Sequence, residues 1–131
     1  MIRIVVIGGG WAGVAAATAA RKAGAKVTLL ERMDILLGLG NVGGIMRNNG
    51  RYTATEECIL LGAKELFHIT DKLSRHVNID FPGHKHASLY DVCRIEPTVR
   101  RFLEEIDVEL LLQSRAVDVK MDGRNVVGLS F

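Results

Sequence analysis

Residues 2–31, IRIVVIGGGWAGVAAATAARKAGAKVTLLE, set out a strand, a glycine turn, a helix and a second strand in that order. Ile2, Ile4, Val5, Val6 and Ile7 form a nearly continuous apolar, β-branched run, the pattern of a parallel strand buried on both faces. Gly8, Gly10 and Gly13 follow in G-x-G-x-x-G spacing. An alanine-rich helix is predicted over 11–23, stopped by Gly24. The second strand is predicted at Lys26–Leu30, and Glu31 stands at its carboxyl end, 23 residues after Gly8.

Each part has a physical task in holding a dinucleotide. Gly8 permits the tight turn out of the strand, Gly10 lets a pyrophosphate approach the backbone, and Gly13 lets helix and strand pack closely. The start of the helix, at Trp11 and Ala12, offers free N–H groups and the positive end of the helix dipole to phosphates. Glu31 is placed to accept hydrogen bonds from ribose hydroxyls. Glycine spacing alone is a weak signal, but here strand, turn, helix, strand and acid stand in register. An acid at 31 argues against a ribose 2′-phosphate, hence against NADP, and Arg32 directly after it argues mildly the other way.

The chain has 131 residues, enough for one cored domain and too few for two. With 48% hydrophobic and 24% charged residues it reads as a globular protein. A net charge of +2 and the absence of a basic cluster with interleaved aromatics point away from nucleic acid. Cys58 and Cys93 form no C-x-x-C motif, so the expectation is no disulfide framework and a reducing, cytoplasmic compartment. The apolar N-terminus fits the strand–turn–helix logic better than a signal peptide, and no run is long enough to cross a membrane.

Ten of the fourteen glycines lie in the first fifty residues, which makes the stretch after Glu31 a glycine- and asparagine-rich loop. Gly38, Gly40 and Gly43 repeat the GxGxxG letters there, but no second βαβ unit fits around them. Gly43 and Gly44 tolerate unusual backbone angles and let backbone approach a ligand. A one-faced helix is predicted over 55–76, with Thr53 and Glu56 as a capping box and Cys58 packing. Residues 77–91 read as irregular with a Pro82-Gly83 turn, 92–95 as a short extended piece, and 97–106 as a helix opened by Pro97. A strand is expected over 107–119, then a turn at Asp122-Gly123-Arg124-Asn125 and a returning strand over 126–131. A terminal strand without a neighbour suggests that more protein follows Phe131, or that a partner subunit completes the sheet.

Taken together, these residues resemble the FAD-dependent oxidoreductases of the glutathione-reductase-like flavoprotein group, related to fumarate-reductase-type flavoproteins. The resemblance spans essentially the whole chain and is specific in IRIVVIGGGWAGVAAATAARKAGAKVTLLER, with support from Gly43-Gly44 and from EPTVRRFLEEIDVELLLQSRAVDVKMDGRNVVGLSF. It implies an α/β, Rossmann-like FAD/NAD(P)-binding domain over 1–131, with a parallel sheet plus a β-meander, incomplete at its C-terminus. It also implies FAD laid out with its pyrophosphate at Gly8, Gly10, Trp11, Ala12 and Gly13 and its adenosine ribose at Glu31 and Arg32. Adenine would meet backbone near Ala116 or Val117, and the flavin end would lie near Gly43, Gly44 and Arg47. No cysteine stands between Glu31 and Glu57, where the disulfide reductases carry their C-x₄-C, so a dithiol relay is not expected. No histidine precedes His68, so the FAD should be non-covalent.

The expected function is the FAD-binding portion of a flavin-dependent oxidoreductase acting on a small-molecule substrate, with the rest of the FAD and substrate domains in cis or on another subunit. The same βαβ unit also suits NAD in a dehydrogenase module, or a non-catalytic dinucleotide-binding subunit. No catalytic residue is identifiable and no metal is expected: His76, Asp80, His84 and His86 lack zinc-ligand spacing. Arg94, Arg100 and Arg101 are the further candidates for a phosphate, though a solvated helix face would carry them equally.

Overall fold

The structure is a computed structural model of the chain. It describes every residue except 45–46, 49–56, 58 and 82–83, and at 47–48, 76–81 and 84–88 it describes backbone alone. Strand β1 (Arg3–Ile7) leads through the glycine turn into helix α1 (Trp11–Lys22), and β2 (Lys26–Leu30) returns beside β1. One short turn of helix, α2 (Gly38–Asn41), and a two-residue strand, β3 (Arg47–Asn48), follow. A π-helical turn (Ile59–Ala63), broken at Gly62 with φ 108°, leads into α3 (Lys64–Lys72). Then come β4 (Ser74–Phe81), β5 (His84–Tyr90), α4 (Val92–Glu105), β6 (Val108–Leu111), β7 (Asp118–Asp122) and β8 (Asn125–Ser130).

The principal sheet is parallel, in the order β1-β2-β6, with Val5 opposite Thr28 and Thr28 opposite Glu109. Its helix-covered face carries Val27, Leu29 and Val108. These pack with Val14 and Ala17 of α1 and with Ile95, Val99 and Leu103 of α4 into one core. The fold is therefore the α/β, Rossmann-like arrangement expected, with a β7–β8 hairpin after it.

Several elements differ from expectation, each for an identifiable reason. β1 is packed on one face: Ile4 and Val6 lie against the core, whereas Val5 is 46% and Ile7 59% exposed, because among the described residues the helices cover one side of the sheet. Among the described residues β1 is also an edge, with β2 as its neighbour. The helix predicted over 55–76 stops at Lys72, and Ser74–Phe81 and His84–Tyr90, expected to be helix end and irregular chain, form antiparallel strands paired with β3 in the order β3-β5-β4. The capping box at Thr53 and Glu56, and Cys58, lie outside the described residues.

α4 starts five residues before Pro97, at Val92. Asp91 caps it by accepting from the backbone N–H of Cys93 at 3.0 Å, so 92–95 are helical and not extended. The strand predicted over 107–119 is two strands: β6 ends at Leu111 and β7 starts at Asp118. Gln113, at φ 52°, turns the chain between them. The hairpin falls where the turn residues predict, with Gly123 at φ 58° and a bulge between Lys120 and Met121. Among the described residues, no helix is long and apolar enough to cross a membrane.

Candidate functional site

The carboxyl ends of β1 and β2 and the segment after β6 line an open cavity of about 260 Å³. It is lined by Ile7, Gly8, Leu30, Glu31, Arg32, Ser114, Arg115 and Ala116. In open parallel sheets ligands bind in this position, at the carboxyl ends of the strands. The segment after β6 is drawn over the cavity by backbone bonds: Ser114 N–H donates to the Glu31 carbonyl at 2.9 Å, and Gln113 N–H to the Met33 carbonyl at 3.0 Å.

The glycines of the turn separate by what excludes a side chain from each. Gly8 has φ 100°, a region L-residues rarely adopt. A Cβ at Gly13 would run into the Gly8 carbonyl oxygen, so α1 can lie this close to the strand only with glycine there. Gly9 is buried, and a Cβ on it would stand 2.6 Å from Leu36 Cδ2 and 3.1 Å from Glu31 Cβ. Gly10 differs: it is extended, at φ −68° and ψ 178°, and a Cβ there would meet nothing within 4 Å. Beyond it, α1 has neither a side-chain cap nor an acid in its first turn. Its leading N–H groups, at Trp11 and Ala12, are the unsatisfied donors every helix start presents. An open surface of amide donors at a helix N-terminus suits an anion.

Glu31 is 8% exposed, and both of its carboxylate oxygens are engaged. Oε2 accepts from the Gly9 N–H at 2.7 Å and Oε1 from the Met33 N–H at 2.8 Å. A carboxylate has about four lone-pair positions, so two remain for a ligand hydroxyl. The acid is thus also part of the turn's scaffold, a second task that its strand-end position did not disclose.

Trp11 lies edge-on to Tyr90, ring centroids 5.5 Å apart at 64°, so its ring packs inward on β5. Burial pushes the Tyr90 phenol above its ordinary value, and the Trp11 indole N–H, donating to the hydroxyl, works against that rise. Gly40 is required here, since a Cβ would strike both the Tyr90 hydroxyl and the Trp11 indole nitrogen.

Of the remaining sequence candidates, Glu31, Arg32, Gly8 and Ala116 line one cavity, whereas Val117 is 72% exposed and outside its lining. Gly43 and Gly44 follow α2 and do not line the cavity. Gly38, given little weight in the sequence, abuts the turn: its Cβ position is 3.5 Å from Gly10 Cα. Arg100 is tied to Glu96 and to the Asp34 carbonyl, which removes it from the phosphate candidates. The side chains of His76, Asp80, His84 and His86 lie outside the described residues, and among the described ones no three His, Cys, Asp or Glu side chains form a metal site. Ile7, Leu30, Ser114 and Arg115 were not singled out in the sequence, because what brings them together is the parallel pairing of β2 with β6.

Fold and turn together define a Rossmann-like dinucleotide-binding domain. The chain belongs to the FAD dependent oxidoreductase family, which it matches over residues 3–131. Comparison with curated proteins finds no match. Among solved structures, it is similar to THI4 of Thermovibrio ammonificans (TM-score 0.62, 19% identity, covering 98% of this chain and 45% of that one). It is also similar to the Diels-Alderase PyrE3 of pyrroindomycin biosynthesis (TM-score 0.59, 17% identity, 94% and 28%). A third is the p-nitrophenol 4-monooxygenase PnpA of Pseudomonas putida DLL-E4 (TM-score 0.57, 18% identity, 93% and 35%). At these identities the likeness is one of fold, and the chain spans less than half the length of each of these structures.

Proposed function

We propose that the chain is the FAD-holding portion of a flavin-dependent oxidoreductase, with FAD bound non-covalently. The observation that carries this reading is Gly10: among the described residues nothing excludes a side chain there, which supports a reason for glycine in what approaches from outside. The leading amides of α1, at Trp11 and Ala12, would hold the pyrophosphate. The free lone pairs of Glu31 would accept from the ribose hydroxyls. The cavity edge at Arg32 and Ala116 would take the adenine end. Gly43, Gly44 and the chain beyond α2 would lie toward the flavin end. When bound, the flavin would accept a hydride or electrons from an organic substrate; the residues of this chain bind and orient it.

The open face and free edge of β1, with Val5 and Ile7 exposed, support a further layer supplied by later parts of the same polypeptide or by another subunit. That layer would bring the remaining flavin contacts and the substrate site, and this piece alone would be inactive. The small substrate is the partner, with no role for nucleic acid or membrane, and the compartment is the cytoplasm.

The test is an absorbance spectrum of the purified full-length protein, followed by acid release of the chromophore. Flavin bands with free FAD in the supernatant support the reading. A colourless protein that binds added NAD and not FAD overturns it in favour of a dehydrogenase module. Gly10→Val should abolish FAD binding with little loss of fold, and unchanged binding would remove the turn from the site.

A further inference from the structure

We propose that the ion pair of buried Glu96 and half-buried Arg100 positions the dinucleotide site, acting through residues 34–37; the inference rests on the function proposed above. Glu96, on α4, is 4% exposed. Its Oε1 accepts from Arg100 Nε at 2.8 Å and Nη2 at 2.5 Å, and from the backbone N–H of Leu36 at 3.2 Å. Arg100 Nη2 also donates to the Asp34 carbonyl at 2.9 Å. The two side chains therefore grip the loop after Glu31 at two backbone points.

What that loop does explains the grip. Leu37 is fully buried with φ 70°, a conformation a bulky residue adopts only when its surroundings impose it. From there its N–H donates to the Gly9 carbonyl at 2.7 Å, while Leu36 covers the place a Gly9 side chain would occupy. Glu31 holds the Gly9 N–H from the other side. Gly9 is thus fixed at both its amide and its carbonyl, which sets the direction of the next amide, that of Gly10. The core face of α4 is already supplied by Ile95, Val99 and Leu103. An ion pair that takes a carboxylate out of water is weak evidence for stability when apolar residues could fill the same space. Its presence here is accounted for by the strained loop it holds.

The experiment compares Glu96→Ala, Glu96→Gln, Arg100→Lys and the core control Val99→Ala in the full-length natural protein. Three quantities are measured: the FAD dissociation constant, the denaturant midpoint, and backbone hydrogen exchange at Gly9 and Leu37 without ligand. Glu96→Ala is expected to weaken FAD binding about tenfold or more and to speed exchange at both amides. Glu96→Gln, which keeps an acceptor for Leu36, should restore part of each. Val99→Ala should lower the midpoint and leave the affinity of the folded protein within about twofold, because its apolar side chain takes no part in the hydrogen bonds to Leu36 and Asp34.

Equal losses of affinity in Val99→Ala and Glu96→Ala would overturn the proposal, as would wild-type affinity in folded Glu96→Ala. If Glu96→Ala does not fold, Arg100→Lys decides: it keeps the charge but loses the fork, and unchanged affinity and exchange would refute positioning. Wild-type protein that binds no FAD would overturn the functional reading and the site role together. Unchanged exchange in the unliganded variants would refute the grip by itself.

Discussion

Replacing Glu31 by glutamine tests the dual role of the acid without any ligand. The carboxylate accepts two backbone N–H groups, those of Gly9 and Met33, in a setting that is 8% exposed. A carboxamide has one acceptor oxygen, so one amide loses its partner and faces an NH₂ group instead. Leaving a buried donor unsatisfied costs about 1–3 kcal/mol. With a urea dependence of roughly 1–3 kcal/mol per molar for a small protein, the midpoint should fall by roughly 1 M. The comparison is Glu109→Gln, which alters an exposed hydrogen bond to Thr28 on the open face of the same sheet and should stay within about 0.5 kcal/mol of wild type. FAD affinity in Glu31→Gln should drop as well, because fewer lone pairs remain for the ribose. If the two variants unfold at the same urea concentration, the carboxylate does not hold the turn in solution. A variant that loses FAD yet keeps full stability would confine Glu31 to ligand contact.

Asp91→Ala removes the acceptor for the Cys93 N–H at the start of α4 and should cost about 1 kcal/mol in denaturation; no change would mean that the cap is solvated. Tyr90 ionises above its ordinary value of 10.0 because it is buried. The unfolded chain therefore releases that proton first, and stability should fall as pH rises past this value. Ultraviolet titration of a Tyr52→Phe protein should show the delayed ionisation, and a Tyr90 that titrates normally would contradict its burial. The Lys22 ammonium, hydrogen-bonded to Glu65, holds that carboxyl below its ordinary value of 4.5. Its contribution is present above 4.5 and is lost as pH falls through the lowered native value. Because both side chains are more than a third exposed, Glu65→Gln should cost under about 1 kcal/mol at neutral pH, shrinking in high salt. A cost that persists at low pH would mean that the pair is not the source.

The first thirty residues were legible because their information is local: β-branched run, glycine spacing, helix stop and acid each act on near neighbours, and β1, α1 and β2 stand within a residue or two of the reading. Elsewhere a legible signal was passed over. Val77, Ile79 and Phe81 alternate with His76, Asn78 and Asp80, the period of a strand, and Pro82-Gly83 follows as a turn pair. That alternation marks β4 against the helical reading that ran to 76. Asp91, four residues before Ile95 and eight before Val99, was likewise an available N-cap signal. Pro97, a frequent opener of helices, drew the start too far along. The exposure of Val5 and Ile7 was not readable, because an apolar run says that a strand can be covered on both faces and not which neighbours this chain provides.

The site divides the same way. The residues that would touch a ligand, Gly8, Gly10 and Glu31, follow from the motif. Those that hold the motif in shape come from contacts across large sequence separations: Glu96 reaches Leu36 sixty residues back, and Arg100 reaches Asp34 across sixty-six. No spacing rule relates these pairs, and an arginine on an amphipathic helix looks the same whether it is solvated or tied to a buried acid. Glu96 was nonetheless marked in one respect. It sits beside Ile95 and three positions before Val99, on the border of the apolar stripe of α4, where a charge is buried only if something compensates it. Arg100, one turn later, is that compensation, and an (i, i+4) pair set against a core face is a pattern to read for what it grips. Here it grips the loop behind the glycine turn, so a helix sixty residues away joins the turn's own glycines in setting its geometry.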